Sequence, residues 1–214
     1  MTTEDFLKSI NPDLTLEIAR DFILQNINQP EFLYSVSLSV GLTNQMLADI
    51  VGGISAEQVV NFFASSNIDS TPLNQAANLK FMIEEEKMAR DLYDALYEET
   101  GLKVFDRISD SEQTHVDAVV AEANRLYINI SNLELEEAGV YTNTDIQNLY
   151  NTLLAQGLES YEGAISVGIA VEETDIVDLQ HAIADETDLT LVGVYNNLLN
   201  APYSHLGAFE GFMA

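Results

Sequence analysis

The 214-residue chain has no cysteine and no tryptophan. Without cysteine there is no disulfide, no thiolate nucleophile and no Cys-ligated zinc or iron–sulfur centre. A reduced cytosol and a cysteine-poor export both fit this absence, and a cytoplasmic location is the working expectation. Basic residues are scarce: 8 Lys and Arg face 35 Asp and Glu, for a formal net charge of -27. Such a surface repels phosphate backbones and anionic lipid and attracts cations. Neither nucleic acid nor a membrane is therefore expected as a partner. Solubility is the plain explanation for most of the acids.

Long apolar runs are also missing. The longest, residues 163–171, is interrupted by Ser166 and falls far short of the ~18 residues that span a bilayer. The opening Met1-Thr2-Thr3-Glu4-Asp5 lacks the basic and apolar regions of a signal peptide. Strand-like alternation is rare. No Gly-x-Ser-x-Gly, P-loop or Gly-x-Gly-x-x-Gly motif occurs, so Ser111 and Ser204, although close in sequence to histidines, do not by themselves argue for a hydrolase.

What is present is a helical texture in a chain that is 47% hydrophobic. Breaks at Asn11-Pro12-Asp13, Gln29-Pro30, Gly52-Gly53 and Ser70-Thr71-Pro72 divide the first third into short helices, predicted near 3–10, 14–27, 31–41, 43–51 and 55–65. The last two have the skeleton of a helix-turn-helix. A DNA-reading version needs basic side chains, and none occurs from Met46 to Asn78; a packing or protein-interaction module is the better reading.

After Pro72 the helices lengthen. They are predicted at 73–99, ended by Gly101, and at 103–127. A loop follows at 131–142, then helices at 143–156, ended by Gly157, and at 160–184. Residues 188–213 are predicted helical with a break at Asn200-Ala201-Pro202. The expectation is an all-α protein: a small helical module over 1–71, then a four-helix bundle with one inserted short helix over 72–214.

The chemistry is centred on Ser111-Glu112-Gln113-Thr114-His115. Residues three apart on a helix share a face, so Glu112 and His115 point the same way. That face is apolar on both sides of them: Ile108, Val119 and Leu126 continue the stripe. Glu86 interrupts a stripe of Leu79, Met82, Ile83, Ala89, Tyr93 and Leu96, with Glu84 and Glu85 expected to point more to the side. Glu172 interrupts Ile165, Ile169, Ile176 and Leu179. His205 stands among Leu206, Ala208 and Phe209. Each alone could be a solvated acid or a core histidine. Together they place metal-capable groups at mid-height on four helices, where an unpaired carboxylate would be costly. His181, near the end of its helix, is expected at the surface.

Glu86-Lys87-Met88-Ala89-Arg90 with Tyr93 resembles the first iron-binding helix of rubrerythrins and other ferritin-like proteins. Ser111-Glu112-x-x-His115 resembles their second helix, and Gly168 followed by Glu172-Glu173 their third. Over roughly residues 75–214 the chain looks closest to an uncharacterised domain-of-unknown-function branch of that superfamily. The resemblance implies a ferritin-like bundle holding a dinuclear carboxylate site. It would contain two iron ions, with Mn or Zn also suited to the donors, bound by Glu86, Glu112, His115, Glu172 and His205. Where a second Glu-x-x-His would place its Glu, this chain has Pro202. Either Glu173, the first choice for a sixth ligand, Asp175 or Glu122 would replace it, or the site would hold a single ion. Tyr93 would donate a hydrogen bond or relay a radical, or be a core tyrosine; Glu122 would stand near the ligands. The implied activity is a diiron oxidoreductase of ferroxidase or peroxidase type acting on iron, oxygen or peroxide. Its electrons would come from a separate donor, and a second copy of the chain is open as a partner. The alternative is a degenerate, non-catalytic helical scaffold for protein–protein interaction.

Overall fold

Short polar side chains start most of the helices. In the computed structural model, which describes residues 2–67 and 71–213 except the side chains of Thr71 and Pro72, Thr15, Thr43 and Ser160 each accept a backbone N–H from the first turn that follows. Asn143 and Asp188 do the same, and Thr2 with Asp5 and Ser55 with Gln58 form reciprocal capping boxes. These side chains satisfy donors that a helix start leaves without acceptors. Ser70, part of the predicted 70–72 break, lies outside the described residues.

The described residues form α1 (Thr3–Ile10), α2 (Leu16–Gln25), α3 (Pro30–Val40), α4 (Asn44–Val51), α5 (Ala56–Ala64), α6 (Thr71–Thr100), α7 (Lys103–Arg125), α8 (Thr144–Gly157), α9 (Tyr161–Asp185), α10 (Leu189–Leu198) and α11 (Asn200–Glu210). No strand occurs among them, as the all-α reading expects. Two predicted breaks fall within helices. Helix α6 already begins at Thr71. The break before the last helix falls at Leu199, and Pro202 lies inside the first turn of α11. There a proline costs little, because first-turn N–H groups have no helical acceptor to lose.

The chain divides into two compact units. One comprises Met1–Lys80 with Leu126–Ile130, the other Phe81–Arg125 with Ser131–Ala214. The first is built around Leu7, Ile23, Leu33, Leu47, Ile50 and Phe63. Its α4–α5 pair occupies the predicted helix-turn-helix stretch, and Glu57, Gln58 and Asn61 on α5 face out.

In the second unit the rings of Tyr93 on α6, Phe105 on α7 and Phe209 on α11 meet with centroids 5.2 to 5.8 Å apart. Ile165 and Val167 of α9 join the same core. A Cβ at Gly168 would lie 2.8 Å from the Phe209 ring, so only a glycine lets α9 approach α11 this closely. Helix α6 departs from the expected one-sided stripe: Glu84, Glu85, Glu86, Lys87 and Asp91 are all buried. The outer face is covered by the 131–142 segment, whose backbone bonds to α6 side chains. Glu84 accepts the N–H groups of Thr142 and Asn143 at the start of α8. Lys87 Nζ donates to Asp91 Oδ2 at 2.7 Å and to the carbonyl of Glu137 at 2.8 Å. Asp91 also accepts Gly139 N–H and Tyr141 O–H, both at 2.9 Å. Glu84, which looked lateral in the sequence, is therefore buried, because irregular backbone needs partners there.

Candidate metal centre

Four helices each bring a ligand-type side chain to one place. Glu86 comes from α6, Glu112 and His115 from successive turns of α7, Glu172 from α9 and His205 from α11. Glu86, Glu112, His115 and Glu172 are buried; His205 is partly so. His115 Nδ1 lies 3.1 Å from Glu86 Oε2 and 2.6 Å from Glu112 Oε2. His205 Nδ1 lies 3.0 Å from Glu112 Oε1 and 3.3 Å from Glu172 Oε2. The Glu112 carboxylate thus turns one oxygen to each histidine. Two groups result, Glu86–Glu112–His115 and Glu112–Glu172–His205, each with one ligand atom per residue within 4.8 Å of the others. The imidazoles face each other with centroids 6.3 Å apart.

These donors suit a cation better than they suit one another. Glu86 Oε1, Glu112 Oε2 and His205 Nδ1 are buried without a hydrogen-bond partner of acceptable alignment. Buried groups of this kind are normally satisfied. Short but misaligned approaches are what ligands aimed at a common ion would show, and three carboxylates with two imidazoles are a donor set for Fe(II), Mn(II) or Zn(II).

Electrostatics follow the geometry. Burial raises Glu86 to about 7, against the pull of His115. Burial would also raise Glu112, but the two histidines outweigh it and hold it at about 2. Burial disfavours charge on both rings; their carboxylate neighbours reverse this and lift His115 to about 10 and His205 to about 9. Burial also raises Glu172. Tyr93 is fully buried; its hydroxyl donates to Glu172 Oε1 at 2.5 Å and approaches the Gly168 carbonyl at 3.4 Å. Tyr93 therefore bonds a carboxylate of the centre from within the core.

Other expected residues stand elsewhere. Glu173 is exposed and outside both groups. One residue along a helix turns the side chain by ~100°, which carries it off the face of Glu172. Glu122 is buried but bonds Arg125 Nε at 2.7 Å and belongs to neither group. His181 is at the surface, as expected. Pro202 is buried, so α11 brings a histidine to the centre and no carboxylate from that position. Asp175, weighed only as a replacement ligand, is buried on the face of Glu172 one turn on. Its spacing from Glu172 was the available signal. Lys87 and Asp91 carried no signal, since a Lys and an Asp four apart ordinarily mark a solvated helix face.

The chain is 37% identical over 130 residues to "Uncharacterized protein MJ0754" of Methanocaldococcus jannaschii, covering 60% of this chain and 69% of the relative. The crystal structure of that hypothetical protein superposes with a TM-score of 0.60 at 36% identity, over 63% of this chain and 76% of the other. Residues 75–213, which contain every member of both histidine–carboxylate groups, match the family described as "Uncharacterized protein domain (DUF2202)", and the chain belongs to that family.

Proposed function

We propose that the protein is a ferritin-like metalloprotein whose α6, α7, α9 and α11 hold two metal ions, and that it acts as an oxidoreductase on iron, oxygen or peroxide. The observation that carries the reading is the position of Glu112, one carboxylate between two histidine-containing groups. If cations bind, Glu112 would be the residue common to both. Glu86 and His115 would hold one ion, and Glu172 and His205 the other. Two irons bound there would supply a two-electron couple.

The remaining work falls to the chain's own side chains. Tyr93 fixes the Glu172 carboxylate through its O–H, which keeps a ligand oriented as charge changes beside it. The Tyr93, Phe105 and Phe209 rings wall off water on one side. The His205 side chain retains 12% exposure and marks the side from which a small reactant can enter. With no cysteine in the chain, reducing equivalents come from a separate donor.

Pro202 favours a second reading, a scaffold that keeps the fold but has lost the chemistry, since it removes one carboxylate. Metal analysis separates the two. Protein purified without chelator and loaded anaerobically with Fe(II) is expected to retain about two equivalents and to consume oxygen or peroxide. The double substitution Glu112→Ala/His115→Ala is expected to abolish both properties. A metal content near zero after loading would overturn the proposal and leave the scaffold.

A further inference from the structure

The first unit carries apolar surface that its own packing leaves in water. Ile10, Leu14, Ile18, Phe22, Val36 and Val40, from α1, the turn before α2, α2 and α3, help to line a cavity of about 220 Å³. Ile10, Ile18 and Phe22 are 43%, 51% and 41% exposed, so one wall of the cavity meets solvent. The exposed Phe32 extends this surface, its ring centroid 6.0 Å from that of Phe22. A second cavity, of about 300 Å³, shares Ile23 and Leu33 with the first and includes the exposed Ile27 and Ile54 in its lining. Single exposed apolar side chains are ordinary. A contiguous set around a cavity gains free energy when covered, and marks a binding surface.

Charge decides what can cover it. Ile18 and Phe22 stand one turn apart on α2, and the exposed Glu17 and Asp21 form the neighbouring column. Glu31, in the first turn of α3, is exposed next to Phe32. Lys8 and Arg20 are the only basic side chains before Lys80. Lys8 pairs with Glu4 at 2.9 Å, and Arg20 Nε donates to the Ile50 carbonyl at 2.8 Å. The surroundings of the cavity are thus acidic. Acids there repel a second copy of this chain, whose net charge is -27, and they repel anionic lipid and the carboxylate of a fatty acid. They attract a segment with cations on either side of an apolar stripe.

We propose that this face of the first unit binds a basic amphipathic helix of a partner protein. The partner's apolar side chains would fill the cavity, and its Lys and Arg would stand beside Glu17, Asp21 and Glu31. Every residue involved belongs to the first unit, so the proposal does not depend on metal at the histidine groups.

The probe is a fluorescent synthetic peptide of about 18 residues, long enough to form a helix in isolation, with Leu at i, i+3, i+4 and i+7 and Lys elsewhere. Fluorescence anisotropy with the full chain is expected to show saturable binding that weakens as salt rises. A scrambled peptide of the same composition keeps the charge and loses the stripe; it is expected to bind at least about tenfold more weakly. Ile18→Gln/Phe22→Gln is expected to lose about tenfold for the intact peptide, with unchanged circular dichroism because both positions are exposed. Glu17→Gln/Asp21→Asn is expected to weaken binding less and to flatten its salt dependence. Amide chemical shifts of the labelled parent give a reading that needs no variant: the peptide should move resonances of α1, α2 and α3. Equal binding of the two peptides, parent-like binding by Ile18→Gln/Phe22→Gln, or shift changes centred outside the first unit would overturn the proposal. So would a dimer in sedimentation that Ile18→Gln/Phe22→Gln dissociates, or flotation of the parent and not that variant with phosphatidylcholine vesicles, since these would give the face to a second copy or to a membrane.

Discussion

At Glu112 one side chain answers to two histidines, and protons at the centre follow from that. With His115 raised to about 10 and His205 to about 9, both rings are charged at pH 7 when no metal is bound. A metal bound through those nitrogens must displace their protons. Loading both positions at pH 7 is therefore expected to release about two protons, read by calorimetry in buffers of differing ionisation enthalpy. A value near zero would mean that the histidines are not ligands. The same shifts set the stability of the metal-free protein. A histidine raised from 6.5 stabilises the fold below that value and ceases to do so as pH rises through 9 to 10. Glu86, raised from 4.5 to about 7, holds in the folded state a proton that the unfolded chain releases earlier, so its contribution also falls as pH rises. Glu112, held at about 2, acts in the opposite direction, and only below 4.5. Metal-free Tm is thus expected to decline from about pH 5 to pH 10, and a flat profile would contradict the charged-histidine picture. Tyr93→Phe keeps the ring packing and removes the hydrogen bond to Glu172. Loss of such an orienting partner typically weakens metal binding ~10- to 100-fold, measurable by Co²⁺ titration with the fold intact.

At the scale of elements, close approach and covered faces decide the outcome. Gly168→Ala places a Cβ 2.8 Å from a Phe209 ring already wedged against Tyr93 and Phe105. The ring cannot retreat, so α9 and α11 must separate. Overpacking of this kind costs about 1–3 kcal/mol. Denaturant unfolding should report it, with weaker metal binding because His205 rides on α11. Lys87 is the other pivot. Its ammonium is fully buried and holds Asp91 and two carbonyls of the 131–142 segment. Lys87→Met leaves those acceptors unpaired, with an expected loss of ~3–5 kcal/mol. Hydrogen exchange should show the loosening first in residues 131–142, whereas loosening confined to the first unit would refute this role. The boundaries of these helices were legible before any coordinates, because caps and the 3.6-residue period act within a few residues. The burial of Glu84 was not legible, because it depends on a segment about fifty residues away folding over α6 and needing hydrogen-bond partners.

Across the whole molecule, a net charge of -27 repels itself in the folded state. Raising monovalent salt is expected to raise the Tm of the metal-free protein by screening that repulsion. A transition metal at low concentration should raise it further by binding only the folded form, an increment that Glu112→Ala/His115→Ala should lose while keeping the salt effect. Sequence by itself determined that the chain is helical and placed Glu86, Glu112, His115, Glu172 and His205 at mid-height on apolar faces, since which residues share a face is a local property of the helix. Tertiary structure alone decided that Glu112 stands between both imidazoles and that Glu85 lines a cavity. Those outcomes depend on how helices distant in sequence rotate and approach one another, a matter settled by the packing of Gly168 against Phe209 and of the 131–142 segment against α6.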